Sequence, residues 1–574
     1  MPIRLPATAL ALLLCTAASA QTLLHPADYR HYVQTFEADE QLATGHVYNG
    51  EPSTPGHPAE AAWPWMTREI PWFDSSDKSF EEMYYFRWYA FKKHILHTPS
   101  GYLITEWLDR PEMTDRGTLS DAAPFHLGEA RWLHTRAIAD DYARYWYRPT
   151  SKPRNYSQPL TTAVRDVTLA TGDTTLTTSL LPEFVRVYHD WETTQQDPNG
   201  LFWSIDTRDA MEKSISGDGY RPTLNSYMVS DARAIAATAL LANNHVLADE
   251  FTAKADHLNS LIETKLWNPR DQFYEVVSPA KDSGIRAQKK FQDPGTVLQF
   301  SGVRELIGYD PWAYASPAPA HGVAWHQLFD PHGFDGKYGP TTAERRSPRF
   351  RFASSDQCTW NGPAWPFAIT QTLTALAEYL NTPGPHTIDN TAYDKLFARY
   401  VLAQHISIDV AGKPLPHPID WIDEDYDADT DQWIAKSMLL AKNKQVGRGN
   451  YYNHSGFVDP LITGLIGLRP RADNRIVLHP LAPSSWSYFA IDALPYHDHL
   501  LTIAYDRTGT HYHHGRGLWI AVDGHTIAHR STLGPLQANL PKASASTYST
   551  TSSFVKGTAS AVPYQAADKS GFSR

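Results

Sequence analysis

Residues 359–366 read Thr-Trp-Asn-Gly-Pro-Ala-Trp-Pro, which places two tryptophans on a short backbone constrained by proline and glycine. The two prolines exclude regular helix within the stretch, and the glycine allows a tight turn. Apolar residues in 367–380 then recur with helical spacing. The sequence therefore predicts a stiff loop that holds Trp360 and Trp365 at the beginning of a helix.

Large flat rings beside an amide suit a ligand with apolar faces and polar edges, and a sugar ring is such a ligand. A single tryptophan of this kind more often fills a core. Two of them, with an amide and a turn between, favour a binding site. We expect Trp360, Asn361 and Trp365 to contact a carbohydrate.

Composition narrows the possible partners. Aromatic residues make up 12% of the 574 residues, with 18 Trp and 30 Tyr, which fits carbohydrate binding as well as a large core. The chain is long enough for one large domain with a smaller one beside it. Its net charge is −11, with acids and bases interspersed. Nucleic acid and anionic membranes are therefore not expected as partners.

The first twenty residues resemble a secretory signal. Arg4 supplies the positive start, an apolar segment follows, and small residues allow cleavage near Ala20. Lipidation at Cys15 is the less favoured alternative, because two leucines precede it. Cleavage would leave Cys358 as the one cysteine, so no internal disulfide is expected. No later apolar run is long enough to span a bilayer. We expect a periplasmic or secreted protein with residues 1–20 removed.

Helical patterns dominate residues 76–468, after a segment at 21–75 that is expected to be irregular. About a dozen helices in consecutive hairpins is the number that an (α/α)6 toroid needs. The predicted helices lie at 80–96, 126–148, 158–171, 175–195, 226–246, 248–267, 298–308, 364–381, 390–406, 432–443 and 456–467.

The composition changes after residue 468 to short apolar runs separated by turn residues. These runs predict a small antiparallel β domain at 469–540, in a protein that is otherwise mainly α. A Ser-, Thr- and Ala-rich end at 541–574 is expected to be disordered. The predicted strands are 475–480, 488–494, 500–505 and 518–522.

Residues 202–214 bring three carboxylates, Asp206, Asp209 and Glu212, close to Trp203 in the sequence. A carboxylic acid stays protonated near neutral pH only where burial or a like charge raises its pKa. An aromatic pocket provides such burial, so the segment is a candidate source of a catalytic acid. The alternative is a solvated helix start, where acidic residues are common.

Residues 421–431 contain six acids among aromatic residues. The segment lacks the glycine and the final glutamate of an EF-hand loop. An irregular cation site, a solvated charged run and a turn that presents one catalytic carboxylate remain as alternatives. The aromatic neighbours argue against a purely solvated run.

Two further polar-aromatic segments, 338–344 with Glu344 and 450–457 with His454, have the composition of cleft walls. His454 is interpreted as a structural or substrate-contacting histidine more readily than as a proton carrier. The sequence has no HExxH motif and no close Cys/His cluster, so no catalytic zinc is expected. No metal and no organic cofactor are predicted.

These segments resemble those of the six-hairpin (α/α)6 glycosidases, nearest the mannosylglycerate-hydrolase-like branch around glycoside hydrolase family 63. In that clan a Trp-x-Gly-Pro-x-Trp loop lines the sugar site, and 360–365 matches it. The acid of the clan sits in a Gly-(Met/Trp)-Asp-Asn-(Ser/Ala) segment. The best match is Ala-Met-Glu-Lys-Ser at 210–214, which implies Glu212 as the acid. Because two positions depart from the pattern, Asp209 remains an alternative.

The base of the clan opens a Glu-x-Tyr-(Asn/Asp)-Pro-x-Thr-Gly segment. Residues 424–431 match except at the proline and the glycine, which implies Glu424 as the base. The resemblance covers about residues 80–530 and implies an inverting glycoside hydrolase with an (α/α)6 catalytic domain.

The same interpretation assigns substrate contacts. Three tryptophans would stack on sugar faces, and three polar side chains would bind hydroxyl groups. These are Trp203, Trp360 and Trp365, then Arg221, Asn225 and Asn361. Two alternatives remain, a polysaccharide lyase on an α/α toroid and a non-catalytic glycan-binding protein.

Overall fold

The computed structural model describes residues 22–52, 58–108, 117–279, 297–350, 359–435 and 451–541. The predicted signal peptide, both cysteines, most of the predicted helix at 432–443 and nearly all of the predicted tail lie outside the described residues.

The α-helices follow one another along most of the chain, and short 3₁₀ or π turns link several of them. In chain order, α1 to α13 are Arg30–Thr44, Ala62–Glu69, Lys78–Lys93, Ala123–Ala130, Ala137–Trp146, Leu160–Thr171, Thr175–Gln195, Pro222–Leu241, His245–Leu261, Asp310–Tyr314, Pro366–Asn381, Asn390–Ala403 and Val458–Pro460.

The strands are short before residue 470 and longer after it. In chain order, β1 to β17 are Trp72–Ser75, Ile95–Thr98, Gly101–Ile104, Trp203–Ser204, Gly219–Tyr220, Trp267–Asn268, Phe273–Tyr274, Val277–Pro279, Leu298–Phe300, His405–Ile408, Pro414–Asp420, Arg475–Leu478, Tyr488–Tyr496, His499–Asp506, Gly517–Val522, His525–Arg530 and Leu536–Asn539.

The long helices form an interior set and a flanking set. Nearly every residue of α8 from Pro222 to Ala236 is buried, and α11 is buried almost throughout its length. By contrast, α9 buries only Ala248, Phe251, Ala255 and Leu258, which recur every three or four residues along one face. Helices that are buried on all sides lie inside the fold, whereas amphipathic helices cover it.

Three of the regions that differ from the sequence prediction have a clear physical reason. Residues 21–75, expected to be irregular, contain α1 and α2, because apolar residues of α1 recur with helical spacing and are buried. The helix predicted at 126–148 is two helices, since a tight turn at Arg131 places the Trp132 indole against Asp459 at 2.8 Å. The helix predicted at 298–308 is wrong: a strand there is followed by Gly302, whose φ of +66° ends regular structure.

A five-stranded antiparallel sheet contains most of the described residues after 487. Its order is β1-β13-β14-β15-β16, so a strand that precedes most of the helices pairs with one more than 400 residues later. The four predicted strands are confirmed at 475–478, 488–496, 499–506 and 517–522. None of the helices in the described ranges has the length and apolar character of a membrane span.

Candidate functional site

The loop at 359–366 ends where α11 begins, with Trp365 as the residue that precedes the helix and a proline at its first position. The Trp360 and Trp365 rings stack, with centroids 4.0 Å apart. On its other side Trp365 stacks on Phe367 at 4.4 Å. Both faces of Trp365 are therefore covered by protein, and no face remains for the sugar stacking expected of this residue.

Trp360 holds the segment that contains Glu212. Its main-chain N–H donates to the Glu212 carbonyl at 3.1 Å. Its indole N–H donates to Oε2 of the Glu212 carboxyl, also at 3.1 Å. One tryptophan thus fixes both the backbone and the carboxyl of this residue, and its own side chain is buried.

The Glu212 carboxyl lies in an environment that favours its protonated form. Burial raises the pKa of Glu212 to about 7, and the negative charges of Glu424 and Asp206 act in the same direction. The Trp360 hydrogen bond acts in the opposite direction. A group with this pKa holds a proton at neutral pH often enough to donate it.

The acidic loop that contains Glu424 is joined to the same tryptophan loop. Tyr426 and Ala364 exchange two main-chain hydrogen bonds, at 2.8 and 3.0 Å. The loop at 359–366 therefore contacts the Glu212 segment at one end and the Glu424 segment near the other. Through these contacts the fold brings the carboxyls of Glu212 and Glu424, 212 residues apart in sequence, close enough for the charge of Glu424 to raise the pKa of Glu212.

Several acids of this loop shape it through hydrogen bonds. Asp423 accepts the main-chain N–H of Glu424 at 2.7 Å, and Asp425 accepts that of Ala435 at 3.2 Å. All three acids from 423 to 425 are at most 5% exposed. This part of the run is therefore not a solvated charged surface.

A third carboxyl, Asp121, belongs to the same cluster and was not predicted from the sequence. Burial raises its pKa to about 7, and the charges of Glu212 and Glu424 act in the same direction. Oδ1 of Asp121 is buried and has no hydrogen-bond partner in the described part of the chain. Asp121 lies two residues before α4, and no short motif in the sequence marks it.

Asp209, the alternative acid, lies in a different environment. It accepts from Nε of Arg221 at 2.6 Å and from the Thr223 hydroxyl. Neither side chain of the Asp209–Arg221 ion pair is exposed at all. An acid that is fully buried against a permanent cation cannot reach a ligand in this structure, so the geometry favours Glu212.

Arg221 and Asn225, expected to bind hydroxyl groups, face the protein instead. Asn225 accepts the main-chain N–H of Phe202 at 2.8 Å and donates to the Phe202 carbonyl at 2.9 Å. The Trp203 ring packs edge-on against Tyr220, with centroids 5.3 Å apart. These residues hold the segment before Glu212 in place.

Three other predicted contacts are also buried. Glu344 forms an ion pair with Arg304 at 2.7 Å, which joins two loops. His454 packs edge-on against Tyr452 at 4.2 Å, and burial lowers its pKa well below the usual value. A histidine that stays neutral in this way is not suited to carry a proton at neutral pH. Asn361 is buried in the tryptophan loop, 7% exposed.

In the described ranges, no group of three His, Cys, Asp or Glu side chains has an arrangement that could hold a metal ion. The interactions described above define the candidate site as three carboxyls, Asp121, Glu212 and Glu424, together with the tryptophan loop.

Comparison with known families bears directly on this cluster. Residues 116–455 match the model described as the mannosylglycerate hydrolase MGH1-like glycoside hydrolase domain, which is more than half of the chain. The chain belongs to this MGH1-like glycoside hydrolase family. All three carboxyls lie inside the matched region. Residues 468–529 match the glycosyl hydrolase family 65 C-terminal domain.

Several solved structures match part or most of this chain. One described as "Sialidase" is 35% identical with a TM-score of 0.78; it covers 90% of this chain, which spans only 45% of that protein. A GH63 mannosylglycerate hydrolase from Thermus thermophilus is 12% identical with a TM-score of 0.43, covering 60% of this chain and 91% of its own. A GH78 rhamnosidase of Bacillus sp. GL1 is 12% identical with a TM-score of 0.48. The match covers 77% of this chain and 41% of the rhamnosidase.

Proposed function

We propose that this protein hydrolyses glycosidic bonds of oligo- or polysaccharides by an inverting mechanism with two carboxyls. Membership of a glycoside hydrolase family supports the reaction class. The observation that carries the proposal is the buried Glu212 carboxyl, whose pKa is raised to about 7 by its burial and, to a smaller extent, by the charge of Glu424.

Glu212 is the general acid in this proposal. It protonates the oxygen of the leaving group, which becomes a neutral alcohol as the bond to the anomeric carbon breaks. The indole of Trp360 fixes one oxygen of the carboxyl, so the proton is held on a group of defined orientation. Burial is the largest cause of the raised pKa of Glu212, so a proton is available for donation near neutral pH.

Glu424 is the general base. It takes a proton from a water molecule that attacks the anomeric carbon from the opposite face. Main-chain hydrogen bonds at Glu424 and Tyr426 fix the loop that presents this carboxyl relative to the tryptophan loop. After one turnover the base holds the proton that the acid has lost, and exchange with solvent restores both.

Asp121 completes the proposed site as a binding group. A buried oxygen without a partner among the described residues is suited to accept a hydrogen bond from a sugar hydroxyl. The charge of Glu212, when ionised, raises the pKa of Asp121, because the two carboxyls repel one another.

Two wider expectations belong to the same proposal. The helical hairpins are inferred to close as an (α/α)6 toroid around the carboxyl cluster, which the interior and flanking helix sets support. Residues 1–20 are inferred to direct export to the periplasm or beyond. Mass spectrometry of the mature protein, expected to begin near Gln21, tests the second inference.

A product analysis tests the function. The mature protein is incubated with a panel of oligosaccharides and aryl glycosides, and the anomer first released is identified by proton NMR. The proposal expects free sugar of inverted configuration and no ultraviolet-absorbing unsaturated product. An unsaturated product would show a lyase, and tight binding of a glycan without turnover would show a binding protein.

A further inference from the structure

A groove of about 740 Å³ adjoins the turn that leads to Glu212. Its walls are the loop at 149–155, the second half of α7, and Arg208, which lies four residues before Glu212. The main-chain N–H of Ser157 donates to the Arg208 carbonyl at 2.8 Å, so the two loops are joined. The groove is therefore joined, through Arg208, to the turn that leads to the proposed acid.

The charges that line this groove contrast with the acidic net charge of the chain. Four side chains are cationic and two are acidic, namely Lys152, Arg154, Arg186 and Arg208 with Glu183 and Asp190. Arg186 pairs with both acids, at 2.7 and 2.9 Å, so its charge is compensated. The other three cations form no ion pair with any described residue.

Arg154 is held in place without a carboxylate partner. It donates to the Asp190 carbonyl at 2.8 Å and to the Thr194 hydroxyl at 2.6 Å, and its guanidinium lies over the Trp191 ring. Burial lowers the pKa of Arg154; the charge of Arg208 acts in the same direction, and that of Asp190 opposes it. Arg154 and Arg208 are thus close enough to repel one another, and a bound anion would relieve that repulsion.

We propose that this cationic groove binds the carboxylate or sulfate group of an acidic glycan whose chain extends to the carboxyl cluster. The proposal rests on the proposed function for the identity of the chain as a glycan. Guanidinium groups bind such oxyanions through paired N–H donors. The groove volume lies within the range of about 300–1,000 Å³ that is typical of ligand sites. Nucleic acid fits less well, because the rest of the molecule is acidic.

Binding measurements test this proposal without requiring turnover. The full mature chain with Glu424→Gln is studied by affinity electrophoresis in polygalacturonate, dextran sulfate and neutral dextran of similar length. The test variant is Lys152→Gln/Arg208→Gln. The matched control is Lys413→Gln/Arg516→Gln, which removes the same charge from exposed positions outside the groove.

We expect binding to one or both acidic polymers and none to neutral dextran. Comparison of polygalacturonate with dextran sulfate shows whether the groove binds carboxylate or sulfate groups. The test variant should weaken this binding by about tenfold or more, from the loss of two charged donors, while the control binds like the parent. Equal binding by the test variant, equal retention of double-stranded DNA, or no binding to either acidic polymer would overturn the proposal. Lys152→Gln alone gives the same comparison if the double variant does not fold.

The outcome is independent of hydrolysis. If acidic polymers bind in the groove but the parent enzyme cleaves no glycoside, the binding proposal is supported and the catalytic proposal is wrong. If glycosides are cleaved and the groove variant binds acidic polymers unchanged, the groove assignment fails alone.

Discussion

At the residue scale, the proposed mechanism depends on the ionisation of Glu212. Its pKa in the folded protein, about 7, lies above the ordinary value of 4.5. The folded state therefore holds this proton more tightly than the unfolded state, and its stabilising effect is lost as pH rises from 4.5 through 7. Above pH 7 the protein carries a buried negative charge at this position.

This linkage predicts opposite effects of Glu212→Gln on stability and activity. We expect the variant to lose about 10²–10⁴-fold in kcat on natural glycosides. At pH 8 its free energy of unfolding should exceed that of the parent by on the order of 1–2 kcal/mol, with the difference vanishing near pH 4.5. Denaturant unfolding at the two pH values measures this. If the variant is less stable than the parent at both pH values, the ionised Glu212 carboxylate does not destabilise the folded protein.

The hydrogen bond between Trp360 and Glu212 predicts an effect of Trp360 on the pH dependence of activity. Trp360→Phe keeps an aromatic ring but removes the indole N–H, whose hydrogen bond lowers the pKa of Glu212. The alkaline limb of the kcat/KM profile should therefore move to higher pH. Trp325→Phe, a buried tryptophan outside the site whose indole N–H has no hydrogen-bond partner in the described part of the chain, is the control. If the alkaline limb of Trp360→Phe is unchanged or moves to lower pH, the limb does not report the ionisation of Glu212.

Trp365 is predicted to be structural. Its ring lies between Trp360 and Phe367, so Trp365→Ala should cost about 3–5 kcal/mol of folding free energy. Trp365→Phe should cost much less. If Trp365→Ala keeps its melting temperature and loses sugar affinity, the packing interpretation is wrong and the stacking expectation from the sequence is restored.

The sequence predicted this site in part. The tryptophan loop and the two glutamates could be found because short motifs carry them. Asp121 could not, since its role arises from the charges of two distant residues. Arg221 and Asn225 had suitable chemistry for a ligand, but a sequence does not show that they are used up in hydrogen bonds to Asp209 and Phe202.

At the element scale, Glu129 fixes the beginning of α13. Its carboxylate accepts the main-chain N–H groups of Phe457, Val458 and Asp459, at 2.8 to 3.1 Å. These donors directly follow the segment that holds His454. One buried side chain of α4 thus sets the position of a loop more than 300 residues later.

Glu129→Ala would leave three buried N–H groups without an acceptor. We expect a loss of several kcal/mol, at about 1–3 kcal/mol for each unsatisfied group, and faster hydrogen exchange in residues 451–460. Glu129→Gln, which keeps one acceptor oxygen, should be less damaging. Unchanged exchange in the Ala variant would show that other contacts fix this loop.

At the scale of the whole molecule, the helical region and the terminal sheet are joined by β1. Phe73 of this strand pairs with Ile491, and Phe80 of α3 packs edge-on against Trp486 at 5.2 Å. The change of composition at residue 468 predicts a domain boundary, and that boundary stays a prediction. A strand pairing across 400 residues cannot be found from local patterns, so the role of β1 could not be predicted from the sequence.

Because β1 pairs with β13, we predict that the helical region does not fold alone. Truncation after residue 468 removes the partner of β1 and exposes the apolar side chains of α3 that face the sheet. We expect aggregation or loss of cooperative thermal unfolding in the truncated protein. A soluble truncated protein with a sharp calorimetric transition near that of the full chain would contradict this.

In the proposed reaction Glu212 donates a proton and Glu424 removes one. Activity on two substrates that differ only in the leaving group measures this most directly. With a leaving group that needs no proton, such as fluoride, Glu212→Gln should retain nearly the activity of the parent, while it fails on the alcohol glycoside by about 10²–10⁴-fold. Glu424→Gln should fail on both by a similar factor. If Glu212→Gln is equally impaired on both substrates, or Glu424→Gln is active on either, the assignment of acid and base is contradicted.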